Sequence, residues 1–315
     1  MQQMFLGEAL KKRRMELGLT QEQLCEGICE PATISRFENG RQTPSRNRIN
    51  ALLERLGLPG DRYFALSSEN ELEIEALQRQ ITTYNFRFER ACSDERAQIR
   101  EQAQTAYQEL EALIEDDDML SRQMLLRSKV IIGKRSGEYS PDEQKEMLNE
   151  AIRLTAPYFN VLNIGKGLYS VDEIKLICLL ASAYSHNDQH TEALNIYSQL
   201  YEYIKKHFAN IPQTRANLSM VSANYARELT IAGDFQKAVE IAKEGQQTCL
   251  DYGHYHSLPL LVAIQGDAYH RLGNDIESRK LYYQAYYLML VTNDNHNLQI
   301  LKQKAKKELG LEFED

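Results

Sequence analysis

Three stretches of the chain align with one another without gaps: LLASAYSHNDQHTEALNIY (179–197), ANYARELTIAGDFQKAVEIA (223–242) and IQGDAYHRLGNDIESRKLYYQA (264–285). Small residues coincide at Ala181, Ala226 and Gly266, a turn falls at Asp188, Gly233 and Gly273, and further small residues follow at Ala193, Ala238 and Ser278. The periods are 45 and 40 residues. Such self-similarity constrains the fold strongly, because one copy cannot bury its own apolar face and must stack on its neighbours. Each copy reads as a helix, a short turn and a second helix, and the small residues let the helices approach closely. With only 16 Gly and 7 Pro in 315 residues, a turn-rich all-β protein is excluded.

The helix pair with small residues at fixed points resembles the tetratricopeptide repeat, with helices longer than its consensus of about 34 residues. Gly137-Glu-Tyr139 followed by MLNEAIRL resembles a weaker, earlier copy, and residues 70–115 are helical with room for another. A Lys-rich final helix, Asn295 to Leu309, is expected to cap the stack. About 245 residues at ~40 each imply five to six pairs. The repeat domain is placed at 76–315, after a short linker at 67–75 (SSENELEIE).

Charge divides the chain differently. The whole carries −8, yet residues 1–66 hold ten Lys and Arg against eight Asp and Glu. Within them Arg36, Arg41, Arg46 and Arg48 face only Glu38. An acidic chain with a local basic cluster is not a general polyanion binder; its cluster reads as a phosphate-facing surface or as an ordinary solvated face. The pattern there is helical throughout. Leu6, Ala9, Leu10 and Leu17 are expected on the inner face of a first helix that Gly18 ends. Thr20 and Gln23 form a capping box opening a short helix that buries Leu24 and Ile28. A turn at Gly27–Cys29 leads to Pro31 at the first position of a third helix, which buries Ile34 and Phe37 and runs to about Asn39. A fourth helix, Ser45 to Leu56, turns Ile49, Leu52, Leu53 and Leu56 inward.

LGLTQEQL, TISRFENG and TPS before a leucine-rich helix resemble the helix-turn-helix of the lambda-repressor/Cro (Xre) class over residues 5–66. The resemblance implies that Gln21 meets DNA backbone, that Pro31, Ala32, Thr33 and Arg36 lie on the exposed face of the recognition helix, and that Arg41 lies near phosphate. It also places Arg14 against Glu38. The turn before the third helix is one residue shorter than in phage repressors, and Pro31 and Ala32 stand where those often have amides. Arg36 is therefore the strong base reader, with Thr33 able to help.

Other clusters carry less. His254-Tyr-His256 lacks a partner group for a metal, and Cys25 and Cys29 read as small buried residues. Asn163-Ile-Gly-Lys-Gly167 lacks the Ser/Thr and remaining glycines of a phosphate loop. Tyr282, Tyr283, Tyr286 and Tyr287 form two i,i+4 pairs expected to pack between repeats. Asp116–Asp118 reads as a solvated loop. No nucleophile–base arrangement stands out, so neither an enzyme nor a cofactor is expected. No apolar run nears a membrane span, the start lacks signal-peptide order, and five unframed Cys suit reduced thiols; the cytoplasm is the expected compartment.

A repressor-type helix-turn-helix before a tetratricopeptide-like region, with the short GIC turn, resembles the Rgg/PlcR/PrgX family of peptide-sensing regulators. That resemblance implies an all-α protein acting as a homodimer on double-stranded DNA at a palindromic promoter site, with a short signalling peptide bound on the concave face of the repeats. In a tetratricopeptide pair the first helix lines that face. The alignment then places Asn224 and Arg227 there in the middle copy, Lys175 and Ser182 in the copy before, Asp267 in the copy after, and Lys129 in the weak first copy. Asn224 is favoured as a holder of peptide backbone, since an amide both donates and accepts. A repeat domain that recruits or sequesters a protein remains the alternative.

Overall fold

In the computed structural model the described residues, 6–25, 28–44, 46–56, 69–115, 118–208 and 217–313, form α-helices joined by short turns and two single-turn 3-10 segments, with no strand among them. Gly27, Ser45, the 57–66 end of the N-terminal module, residues 67–68, and Asp116 and Asp117 lie outside the described residues. The chain divides into two compact units, Met1–Arg79 and Gln80–Asp315.

The first unit holds α1 (Leu6–Glu16), α2 (Gln21–Cys25), α3 (Pro31–Glu38) and α4 (Arg46–Arg55). The capping box forms: the Gln23 N–H donates to Thr20 Oγ1 at 3.1 Å and the Thr20 N–H to Gln23 Oε1 at 2.8 Å. Pro31 starts α3, where its missing N–H costs nothing. Leu10, Leu24, Ile34, Phe37, Ile49, Leu52, Leu53 and Leu56 make the core. Leu17 does not join it and is 44% exposed. It lies one residue beyond the end of α1. Ile28 is only half-buried. Gly7 lets α1 approach α3, since a side-chain carbon there would overlap the Phe37 carbonyl.

Helix α5 (Glu69–Arg90) crosses the division between the units. The stretch 67–75, read from sequence as beginning polar and becoming helical, is helical from Glu69 onward. Leu77 and Ile81, one turn apart and buried, belong to the same helical period. There follow α6 (Ser93–Leu113), α7 (Met119–Ser136), α8 (Pro141–Thr155), α9 (Val171–His186), α10 (His190–His207), α11 (Leu218–Ala232), α12 (Phe235–Tyr252), α13 (Leu258–Arg271), α14 (Asp275–Val291) and α15 (Asn295–Leu309). The three aligned copies are the pairs α9–α10, α11–α12 and α13–α14, and the weaker copy is α7–α8. Ala181, Ala226, Ala193, Ala238 and Ser278 are fully buried. A side-chain carbon on Gly266 would stand 3.4 Å from both Leu281 Cβ and the Ser278 carbonyl, in ordinary contact, so this crossing has room for a small residue. The turn residues share one backbone state, with φ of 56° at Asp188, 86° at Gly233 and 77° at Gly273.

Apolar burial holds the stack together. One cluster runs from Val130 to Ala268 and a second joins α14 and α15; each fully buried Leu, Ile or Val contributes roughly 1.5–3 kcal/mol. Of the tyrosine pairs, Tyr282 and Tyr286 are buried. Tyr283 and Tyr287, about 100° round the helix, are 41% and 62% exposed rather than packed between repeats. The first helices of successive pairs pack on one another, α9 on α11 and α11 on α13, while α10 and α12 pack on the first helices either side of them. No comparable packing links α10, α12 and α14 among the described residues. Closer approach on the first-helix side makes that side the inner one.

Candidate functional site

The N-terminal unit is organised by a buried charge. Arg14 Nε and Nη2 donate to the two Glu38 oxygens at 2.6 and 2.9 Å, and Nη1 donates to the Leu19 carbonyl at 2.7 Å. The Glu38 side chain is fully enclosed. Its hydrogen bond holds the Arg14 guanidinium pKa above the usual value, against the opposing effect of burial. This two-pronged pair ties α1 to the end of α3. Gln21 joins it, its amide donating to Glu38 Oε2 at 2.7 Å. Gln21, expected at DNA backbone, thus also braces the ion pair from the start of α2.

The other expected contacts lie outward. Pro31, Ala32, Arg36 and Arg41 are exposed and Thr33 is half-exposed, while Ile34 and Phe37 on the opposite face of α3 are buried. Arg36 Nη1 reaches Gln42 Oε1 at a long 3.4 Å, and the Arg41 N–H donates to the Arg36 carbonyl at 2.8 Å. That bond sets Arg41 beside the end of α3. The exposed strip combines a small N-terminal turn, which permits close approach, with two arginines at its far end.

On the repeat body a polar ribbon connects first helix to first helix. Lys134 of α7 donates to Ser182 Oγ of α9 at 2.8 Å. Asn224 of α11 donates to the Met220 carbonyl at 3.1 Å and weakly to Cys178 Sγ of α9 at 3.5 Å. Lys304 of α15 pairs with Asp267 of α13 at 2.6 Å, and Arg271 with Glu308 at 2.7 Å. His186 Nδ1 lies 2.6 Å from the Ser182 carbonyl; a carbonyl only accepts, so Nδ1 carries the proton. Burial lowers the His186 pKa, and the charges of Lys134 and Arg227 lower it further. Burial pushes the Cys178 thiol up to about 12.

Ser182, Asn224 and Arg227 thus gather around Cys178 and His186. Asp267 sits apart, within its own ion-pair network. Lys175 is drawn to Asp172 at 3.4 Å, near the start of α9. Lys129 turns to Glu111 of α6. The lysine that reaches α9 is Lys134, five residues on and about 140° round the helix. Sequence reasoning missed it because the weak first copy has no small-residue landmark to set the register of α7. Cys178 and His186 had a signal in their spacing of four from Ser182.

Residues 6–63 match the family model described as helix-turn-helix domain. No curated protein matches the chain by sequence. Among solved structures, Bacillus thuringiensis PlcR in complex with the peptide PapR7 and DNA is 16% identical with a TM-score of 0.67, over 95% of this chain and 99% of that one. Apo ComR from Streptococcus vestibularis gives 13% and 0.54, over 96% and 98%. The pheromone receptor Rgg2 of Streptococcus dysgalactiae gives 14% and 0.54, over 96% and 100%. The class so defined is a chain with a helix-turn-helix domain ahead of a helical-repeat body. Its fold is that of the Rgg, PlcR and ComR regulators.

Proposed function

We propose that this chain regulates transcription by binding double-stranded DNA through α3 and a short signalling peptide through the inner face of its repeats. The observation that carries the first half is the division of α3, Ile34 and Phe37 buried against an outward strip of Pro31, Ala32, Thr33 and Arg36 with Arg41 beside it. In this reading Arg36 reads a base edge, Thr33 assists, Arg41 meets phosphate, and a homodimer matches two half-sites of a palindrome. Arg36→Ala is expected to cost about 1–3 kcal/mol on the specific site and to relax specificity at one base pair. Equal losses on specific and random DNA, measured by fluorescence anisotropy, would make Arg36 a phosphate contact instead.

The ribbon around Asn224 supports the second half. Its amide holds a carbonyl of its own helix and a poor sulfur acceptor, both of which a peptide backbone replaces readily. PlcR, whose fold this chain shares, was solved with a peptide and DNA. In the Asn224→Ala variant, peptide capture from a randomised hexapeptide pool should vanish while peptide-free melting stays within a degree or two. A variant that still captures peptide but melts several degrees lower would make Asn224 a packing residue. A protein-docking body is the second reading, favoured by Tyr158, Leu162 and Leu168, which are exposed in the segment between α8 and α9. Retention of large species instead of peptides would establish it.

A further inference from the structure

We infer that the outer face of α14 docks on the same face of a second copy of this chain, antiparallel across a twofold axis. The inference rests on the homodimer of the reading above and names the surface that closes it.

The exposed side chains of α14 recur at Ile276, Lys280, Tyr283, Tyr287 and Leu290, with Leu272 in the turn just before the helix and Val291 at its end. Steps of four and three residues give the period of about 3.5 that marks a coiled-coil seam. Apolar side chains gathered on one exposed face mark an interaction site. Ile276 and Val291 are 85% and 82% exposed, too open for singly buried packing residues of the stack. Tyr283 and Tyr287, which the repeats leave outside, belong to this stripe; Phe313 meets Tyr283 edge-on at 5.3 Å and still leaves it open. Among the described residues α14 does not pack on α12 as the first helices pack on one another. The chain carries −8, yet Leu281 to Asn293 hold no charge, so two copies repel least along this helix.

Lys280 sets the direction. In a parallel pair it would face Lys280 of the second copy, placing two like charges inside the seam. An antiparallel pair instead matches alternate seam positions. Ile276 then meets Tyr287 of the second copy, Lys280 meets Tyr283, and Leu290 reaches the end that carries Leu272. Each contact is made twice, as a twofold interface requires. The lysine so placed lies against a tyrosine ring, a contact α14 already makes within the chain, where Lys302 stands 5.6 Å from the Tyr286 centroid. In the single chain Lys280 lies 3.3 Å from Glu277, an exposed pair that is easily given up. A seam of this size covers fewer than the about 20–30 residues a side of a standard interface, so α14 alone closes a dimer of micromolar strength.

Sedimentation velocity on the full chain across the micromolar range tests the surface. Wild type should dimerise with rising concentration, and Tyr287→Glu should weaken the dimer by about tenfold or more. Ile276→Glu should do the same, and its open position keeps the core intact should the first variant fold poorly. A dimer that both variants leave unchanged would overturn the inference, while the homodimer reading would stand with its surface elsewhere. A wild type that stays monomeric, yet occupies a palindromic duplex as two copies, would sink the α14 surface and spare the DNA-binding reading. Cross-linking tests the direction. Under mild oxidation Ile276→Cys mixed with Tyr287→Cys should give a covalent pair above the wild-type background, and neither variant should do so alone. Each variant cross-linking to itself would make the helices parallel and overturn the antiparallel seam.

Discussion

A small apolar cluster of Cys25 with the eight residues named above makes the core of the N-terminal unit among the described residues, whereas in the repeat body one cluster extends from Val130 to Ala268. The small unit cannot offset its chain entropy by area alone. It adds a fully enclosed ion pair, Arg14–Glu38, with every oxygen of the carboxylate occupied. The repeat body uses the opposite arrangement: many interchangeable contacts, repeated copy by copy. Its lysines lie over tyrosine rings of a partner helix at Lys145–Tyr184, Lys237–Tyr225, Lys243–Tyr269 and Lys302–Tyr286, 5.0 to 5.7 Å from the centroids. Stability is concentrated in one unit and distributed in the other.

Arg14→Ala tests that contrast most severely. It strands the Glu38 carboxylate in a closed site, at a cost of about 3–5 kcal/mol. Hydrogen exchange across residues 6–56 should collapse while α9–α13 keep their protection. A double-mutant cycle with Glu38→Ala should show strong coupling, and additive losses would dissolve the contrast. Gly245→Ala is the corresponding insult to the body. The added carbon would lie 2.7 Å from Ser222 Cβ and 2.8 Å from Leu261 Cδ2. Overpacking of this kind costs about 1–3 kcal/mol, and exchange should quicken in α11–α13 only; spread to the N-terminal unit would mean the two are energetically joined. Lys302→Met removes one rung of the lysine–tyrosine series and should cost only about 0.5–1 kcal/mol. A larger fall in melting temperature would show that the rungs act cooperatively.

The repeat frame was legible because its landmarks are steric. Ala181, Ala226 and Gly266 must be small wherever helices cross, and a left-handed turn admits few residue types, so both survive in the sequence. The final helix runs from Asn295 to Leu309 and ends on the left-handed Gly310. Polar side chains were less legible. Gln21 and Lys129 are long and flexible, and which neighbour each reaches depends on a helix rotation that no pattern of apolar residues fixes in α2 or α7. The Arg14–Glu38 contact came from resemblance to a known fold; two residues 24 apart in sequence carry no local sign of pairing.

The turns have a consequence of their own. At Gly137, Gly233 and Gly273 a side-chain carbon would meet nothing within 4 Å, so neither crowding nor lost contacts forbids one. What forbids it is handedness: the backbone there, with φ of 71°, 86° and 77°, is the mirror image of what an L-residue prefers. Asp188 and Asn293 tolerate the same conformation at 56° and 51°, as short polar side chains do. Each turn is therefore a stereochemical filter set in open space, which random substitution passes only as Gly, Asn or Asp. Copies of this repeat can drift on every face and still be counted by those letters.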